Sequence, residues 1–264
     1  MNDGKPLRAA LVGMGKMGAA LGAAAAARGV EIALRIDPKA PGADAREIEG
    51  ASWEGIDVAL EFTAASSAAD NCRALLERGV PVVSGTTGWN AELREVRALA
   101  AERQVGFLWA SNFSLGVQTM MRLVDVAASW FGALPDFAPY LVEAHHRHKL
   151  DAPSGTARTL AETLVARTPG KTHYGLAPAD GAVPNDMVPV AWIRAGAFPG
   201  EHTVGWDAPE ETIEIVHRAR SRAVFAHGAV AAAAWLVGRR GPCTIDDFLD
   251  DTLPALPRGT EDHR

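Results

Sequence analysis

The sequence predicts an α/β protein in two parts: a doubly wound parallel sheet domain, then a second α+β domain on an open mixed sheet. Three observations carry that prediction. Up to about residue 111, short apolar runs rich in β-branched residues alternate with helix-length segments. Strands joined by helices run parallel through right-handed crossovers. Past about residue 114 the alternation stops, and strand-like runs follow one another with little between them, which points to an open, largely antiparallel sheet. An Ala-rich helical segment then closes the chain.

The elements follow in order. "RAALVG" (8–13), "EIALRID" (31–37), "DVALEFT" (57–63), "VPVVSGT" (80–86) and "VGFLWAS" (105–111) read as strands. Helices are expected over 16–28, over 66–78 with Ser66 or Ser67 as N-cap, and over 90–103 after Asn90. Gly29 and Gly79 stand where helices commonly stop. An apolar helix over 115–131 leads to the strand "YLVEAHH" (140–146), and a further helix starts near Ser154. A loop rich in Gly, Pro and Asp (169–187) precedes three more strands, "MVPVAWIRA", "EHTVGW" and "ETIEIVHRA". The last two are joined by "DAPE", a turn of hairpin length. The final helices are expected over 222–238 and after Thr244. These boundaries divide the chain into a first domain of residues 1–113 plus 222–264 and a second of residues 114–221.

Composition narrows the function classes. The formal charge is −6 and no basic stripe interleaved with aromatics occurs, so no nucleic-acid partner is expected. No run reaches the roughly 18 apolar residues of a membrane span. "AALGAAAAARG" (19–29) has the small residues of a signal-peptide core. Lys16 and the glycines just ahead of it, after a strand-like run, break the order that a signal needs, and a cytoplasmic protein is expected. Cys72 and Cys243 make no motif together and read as free thiols in a reducing compartment.

"GMGKMG" (13–18) follows the first strand and opens the first helix. In that context Gly13 permits the tight turn, Gly15 lets a pyrophosphate approach the backbone, and Gly18 allows close helix–sheet packing. The helix N-terminus offers N–H groups and a positive dipole to phosphate. Asp37 ends the second strand, where an acid that binds a ribose is expected. A turn that merely packs tightly is the competing reading. Strand, helix and terminal acid together favour a dinucleotide.

"EAHHRHKLDAPSGTA" (143–157) concentrates His145, His146, Arg147, His148 and Lys149 in an acidic chain. Three readings compete. One is a solvated basic loop at a strand end. A metal reading would use His145 and His148 with Glu143 or Asp151, but the segment begins as a strand and no second ligand group of zinc-finger spacing follows, so no metal is expected. The third is an acid/base and anion site. Imidazole exchanges protons near neutrality, and like charges around Lys149 favour its neutral form. Pro153 bars an earlier helix start, Ser154 is a good N-cap, and Gly155 and Thr156 supply first-turn N–H groups. That second anion cradle faces the same loop as the cations and suits a small carboxylate.

The same segment closely resembles the signature of the 4-hydroxy-tetrahydrodipicolinate reductase family. The resemblance continues through "SGTTGW" (84–89), "ASNFSLGV" (110–117), "RAGAFPGEHTV" (194–204) and "SRAVFAHGAV" (221–230), nearly the whole chain. It implies a Rossmann-like cofactor domain, an inserted substrate and oligomerisation domain, a homotetramer, and use of NADH or NADPH on a small dicarboxylate in lysine biosynthesis by the diaminopimelate pathway. It further implies His145 as general acid/base, Lys149 as proton donor, and His146, Gly155 and Thr156 as substrate ligands. Gly13, Met14, Gly15, Lys16, Met17 and Gly18, then Asp37, Gly85, Thr86, Thr87, Ala110, Ser111, Asn112 and Phe113, are implied as cofactor contacts. Two features depart from the pattern. The glycine turn is one residue shorter than the family's commonest form, and His227 stands where asparagine is expected. A non-catalytic nicotinamide and carboxylate sensor, or an amino-acid dehydrogenase of similar nucleotide fold, remain as alternative functions.

Overall fold

The computed structural model describes residues 5–254. Residues 1–4 and 255–264, which the sequence assigns to the first domain, lie outside the described residues. The chain divides into two compact units, Met1–Phe113 with Phe225–Arg264, and Ser114–Val224.

The first unit alternates β1 (Arg8–Val12), α1 (Lys16–Ala27), β2 (Glu31–Ile36), β3 (Val58–Glu61), α2 (Ala65–Glu77), β4 (Val82–Ser84), α3 (Asn90–Arg103) and β5 (Phe107–Trp109). The second holds α4 (Leu115–Phe131), β6 (Ala138–His145), α5 (Gly155–Arg167), β7 (His173–Gly175), β8 (Met187–Arg194), β9 (Glu201–Asp207) and β10 (Thr212–Arg218). The chain then returns to the first unit through α6 (Ala223–Leu236), β11 (Pro242–Cys243) and α7 (Ile245–Thr252).

The first sheet has the order β11-β5-β4-β3-β1-β2, and every pairing is parallel. After β2 the chain crosses back over β1 to lay down β3, so the order of addition reverses between β1 and β3. In an open parallel sheet that reversal opens a crevice at the carboxyl ends of the two strands. Central strands covered on both faces must be largely apolar, and β1 and β4 comply apart from Arg8 at the start of one and Ser84 at the end of the other. In β3 the final residue, Glu61, is fully buried. Two details differ from the sequence reading. Neither Ser66 nor Ser67 caps α2; Ala64 is its N-cap, without a side-chain bond, and the Ser67 hydroxyl donates back to the Ala64 carbonyl. The two-residue β11 adds to the sheet edge, too short for any periodicity to announce it.

The second sheet has the order β10-β9-β6-β8-β7. It is mixed in equal measure: β9 runs antiparallel to both β6 and β10, while β8 runs parallel to β6 and β7. The expectation of a largely antiparallel sheet therefore holds for one half only. Between β6 and β8 the chain passes through α5, a crossover that returns it in the same direction. β7 forms inside the stretch read as loop 169–187. α4 and α5 cover one face, packing Met120, Val124, Leu160 and Leu164 on Leu141, Val190, Val204 and Trp206. Trp206 is fully buried and stacks on Phe131 with ring centroids 5.1 Å apart. Truncating such a side chain typically costs about 3–5 kcal/mol.

Candidate active site

In the first unit the glycine turn has the geometry its spacing predicts. Gly13 has φ +97°, and a Cβ there would lie 2.2 Å from the Phe62 carbonyl oxygen at the end of β3. A Cβ on Gly18 would lie 2.3 Å from the Gly13 oxygen, whereas one on Gly15 would meet nothing within 4 Å. Two glycines therefore close the turn, and the third faces open space at the start of α1. Gly15 is the N-cap of α1 and gives no side-chain cap, leaving the helix terminus to attract an anion. These features fit a dinucleotide pyrophosphate.

Asp37, just past β2, is drawn into the same turn. Its Oδ2 accepts the Met14 N–H at 2.8 Å, and its Oδ1 accepts those of Lys39 and Ala40, each at 2.8 Å. The bond from Met14, followed by that from Lys39, holds the carboxyl below its ordinary value. Each carboxylate oxygen has two acceptor positions, so Oδ2 keeps capacity for a ribose hydroxyl.

Gly85, Thr86 and Thr87 follow β4 at the same edge of the sheet. Thr87 is exposed, while Thr86 is buried. The Thr86 hydroxyl donates to Glu61 Oε1 at 3.1 Å and accepts the Thr63 N–H at 2.8 Å. Past β5, Ala110 and Phe113 are buried and Ser111 is exposed. Phe113 packs on Phe62, with ring centroids 6.1 Å apart.

In the second unit the histidine loop grows out of β6, where alternation puts Leu141, Glu143 and His145 on one face. Register carries the same face across the sheet: Glu143 pairs with His202 of β9 and Trp192 of β8, and His145 with Arg194 of β8. Glu143 is fully buried, and its carboxylate organises everything around it. Oε1 accepts the backbone N–H of Ser154 at 2.9 Å and Arg194 Nη2 at 2.6 Å. Oε2 lies 3.3 Å from His145 Nδ1 and 3.5 Å from His202 Nε2. Burial alone would raise the pKa of this acid. Hydrogen bonds from His145, His202, Ser154 and Arg194 outweigh burial and hold it far below the usual carboxylate range.

With Nδ1 of His145 turned to a carboxylate, Nε2 is the nitrogen left for proton exchange. A Cβ on Gly200 would come within 3.2 Å of that Nε2, so the glycine keeps its surroundings open. Lys149 Nζ lies 2.8 Å from Asp151 Oδ1. This corrects the picture of a lysine facing only like charges: its nearest partner is an anion. Burial lowers the pKa of His146, and Arg222, His145, His148 and Lys149 lower it further.

The loop ends on α5. Ser154 caps it, its Oγ accepting the Ala157 N–H at 3.2 Å and lying 3.2 Å from His202 Nε2. Gly155, the first residue of α5, is exposed, and a Cβ on it would meet nothing within 4 Å. Among the described residues, the grouping able to approach a metal is Glu143, His145 and His202, not the His145 and His148 pair weighed from spacing. Glu143 already carries Arg194 and a backbone N–H, so its charge is compensated without an ion. Arg194 and His202 received no role from the sequence. A signal existed in "EHTVGW", where His202 shares the face of Val204 and Trp206 and so had to be buried.

Two family models match the chain: dihydrodipicolinate reductase, N-terminus, over residues 7–113, and dihydrodipicolinate reductase, C-terminus, over residues 116–249. The 4-hydroxy-tetrahydrodipicolinate reductase of Christiangramia forsetii is 36% identical over 242 residues, covering 92% of this chain and 97% of that protein. The enzyme of the same name from Archaeoglobus fulgidus is 38% identical over 252 residues, covering 89% and 96%. Among solved structures, a dipicolinate-bound dihydrodipicolinate reductase from Paenisporosarcina sp. TG-14 has the same fold. Its TM-score is 0.75 at 22% identity, covering 94% of this chain and all of that one. A protein of gentamicin A biosynthesis in complex with NAD shares the fold at a TM-score of 0.56 and 15% identity, covering 96% and 89%.

Proposed function

The chain belongs to the dihydrodipicolinate reductase family, and we infer that it is an NAD(P)H-dependent oxidoreductase. It reduces 4-hydroxy-tetrahydrodipicolinate to tetrahydrodipicolinate with loss of water, in lysine biosynthesis by the diaminopimelate pathway. The observation that carries the mechanism is the position of Glu143, whose one carboxylate holds the acid/base histidine and the N-cap of α5 together. A coupled assay with the preceding synthase, pyruvate and aspartate semialdehyde tests the reading through loss of nicotinamide absorbance. Binding of cofactor and dipicolinate without turnover would make the protein a sensor instead.

The first unit is the dinucleotide-binding domain. Gly13 to Gly18 receive the pyrophosphate on α1, Asp37 the adenosine ribose, and the loops 85–87 and 110–113 the other half of the molecule. The bound nicotinamide supplies the hydride. In the second unit Gly155, Thr156 and His146 take up the substrate carboxylates, whose negative charge suits a helix N-terminus and the cations beside it. One hydride and one proton enter for each water that leaves. His145 Nε2 and the Lys149 ammonium supply protons where electron density accumulates, Glu143 fixes the imidazole, and Asp151 holds the ammonium in place.

Asp37 also bears on cofactor choice. Its carboxylate faces the position of an adenosine 2′-hydroxyl and repels a 2′-phosphate, while Lys39 is exposed close by and Arg35 is partly engaged by Asp44 at 3.9 Å. Exposed ion pairs contribute about 0–1 kcal/mol, which offsets that repulsion only in part. Both nicotinamides therefore serve, with NADH favoured modestly. Asp37→Ala moves the ratio of kcat/KM values toward NADPH and Lys39→Ala moves it toward NADH; a parent preference of a hundredfold for NADPH would overturn the assignment.

The protein works as a cytoplasmic homotetramer assembled through the second unit. No helix among the described residues is long and apolar enough to cross a membrane. Ile193 on β8 stands 52% exposed on the sheet face opposite Glu143 and Trp192, a position that an apolar residue occupies at a contact between copies.

A further inference from the structure

Glu61, at the end of β3, is fully buried and takes no part in the chemistry above. A buried carboxylate is costly unless its oxygens are satisfied, and here the hydroxyls of three residues do so. Ser84 Oγ at the end of β4 donates to Oε2 at 2.6 Å, and Thr86 Oγ1 donates to Oε1 at 3.1 Å. Thr63 Oγ1 donates to Oε1 as well, and itself accepts Asn71 Nδ2 of α2 at 3.2 Å. The backbone joins in: the Gly85 N–H donates to the Glu61 carbonyl at 3.1 Å. The Thr86 carbonyl in turn accepts both Trp89 Nε1 at 2.7 Å and Trp109 Nε1 at 2.8 Å.

These bonds converge on the two loops that leave the carboxyl ends of β3 and β4. The dinucleotide's direction across that edge follows from the sheet order. Its pyrophosphate belongs at α1, after β1, and its adenosine ribose at Asp37, after β2, on one side of β1. The remaining half must extend to the other side of β1, over β3 and β4. That is where Glu61 anchors the loops from beneath.

We propose that Glu61 is a positioning residue for the nicotinamide half of the cofactor, holding loops 62–64 and 85–87 in one arrangement through hydrogen bonds to Thr63, Ser84 and Thr86. The proposal rests on the dinucleotide reading of the first unit. A carboxylate suits the task because bonds to an ionised acceptor are about twice as strong as neutral ones, and one residue reaches both loops.

The test compares a whole ligand with a fragment, using the full-length protein. NADH binding is followed by its fluorescence, and ADP-ribose, which lacks the nicotinamide, by calorimetry. In Glu61→Gln, NADH affinity falls by about tenfold, the scale of a lost charge-assisted bond, and the enhancement of nicotinamide fluorescence diminishes. ADP-ribose affinity stays within twofold of the parent. Ser84→Ala, which removes one donor and leaves the carboxylate, gives a smaller loss in the same direction and keeps the comparison possible if Glu61→Gln folds poorly. Equal losses for NADH and ADP-ribose would overturn the proposal in favour of general damage to the unit, and so would unchanged NADH affinity in both variants. A parent protein that binds ADP-ribose but not NADH would overturn it too, and would separately remove the dinucleotide reading.

Discussion

Glu143 has no solvent exposure; Ser154 N–H and Arg194 donate to one of its oxygens, and the imidazoles of His145 and His202 lie beside the other. Removing its charge should disturb two functions at once. Glu143→Gln is expected to lower kcat by about tenfold or more, since the imidazole loses its orienting partner, and to weaken dipicolinate binding through the altered cap of α5. Steady-state kinetics and an inhibition series would show both; a change in one alone would mean that the carboxylate does not join the two. His145→Ala and Lys149→Ala should each lower kcat by about 10²–10⁴ with NADH affinity nearly intact. Turnover within about threefold of the parent in both would remove the acid/base assignment. Gly200→Ala is a finer probe, since its added methyl would sit 3.2 Å from His145 Nε2 at a φ of +150° that L residues rarely adopt. It should depress kcat while the protein remains folded by circular dichroism.

At the scale of elements, the proposed substrate site would make the first turn of α5 join stability to binding. Ser154→Ala removes an N-cap bond worth about 1 kcal/mol and the contact with His202. It should lower the Tm and weaken dipicolinate together. Thr244→Ala is the control at the far end of the chain. The capping box of α7 pairs Thr244 with Asp247, so its loss should also cost about 1 kcal/mol with dipicolinate affinity unchanged. A matched loss of dipicolinate affinity in both variants would show that stability alone, and not the cap of α5, controls binding. Much of this level was legible beforehand. The apolar helix 115–131 and the Ser154 cap could be read because periodicity and capping are local. The start of α2 could not, because three small residues in a row, Ala65, Ser66 and Ser67, offer the backbone several equivalent starts.

Across the whole molecule, two buried acids give the stability curve opposite slopes. Hydrogen bonding leaves Glu143 with a folded pKa below its ordinary 4.5, so the folded state binds fewer protons there. Its contribution is fully present above about pH 4.5 and is lost as pH falls further. Desolvation by burial raises the pKa of Glu61 above 4.5, against the bonds from Ser84, Thr63, Thr86 and Asn71. The folded state then holds the extra proton, and stability falls as pH rises from 4.5 through that raised value. Thermal melts from pH 3 to 8 should show Glu61→Gln flattening the upper limb and Glu143→Gln flattening the acid limb. The opposite pattern would reverse these assignments. The proposed tetramer is tested by Ile193→Asp, which should shift the mass in sedimentation toward species smaller than that of the parent; an unchanged mass would move the contact elsewhere.

The sequence by itself determined the order of strands and helices apart from the short β7 and β11, the glycine turn with its terminal acid, and a cationic loop running into a capped helix. Each depends on residues close together in the chain, where spacing and local geometry are enough. The tertiary structure alone decided that Glu143 meets Arg194 and His202, 51 and 59 residues further on. Strand register sets that meeting, and in the second sheet two strands joined by a crossover lie beside two joined by a hairpin. It also decided that Lys149 faces Asp151, and that Glu61 lies beneath two loops. A buried charge takes its meaning from the partners that surround it, and those arrive only when distant strands pair.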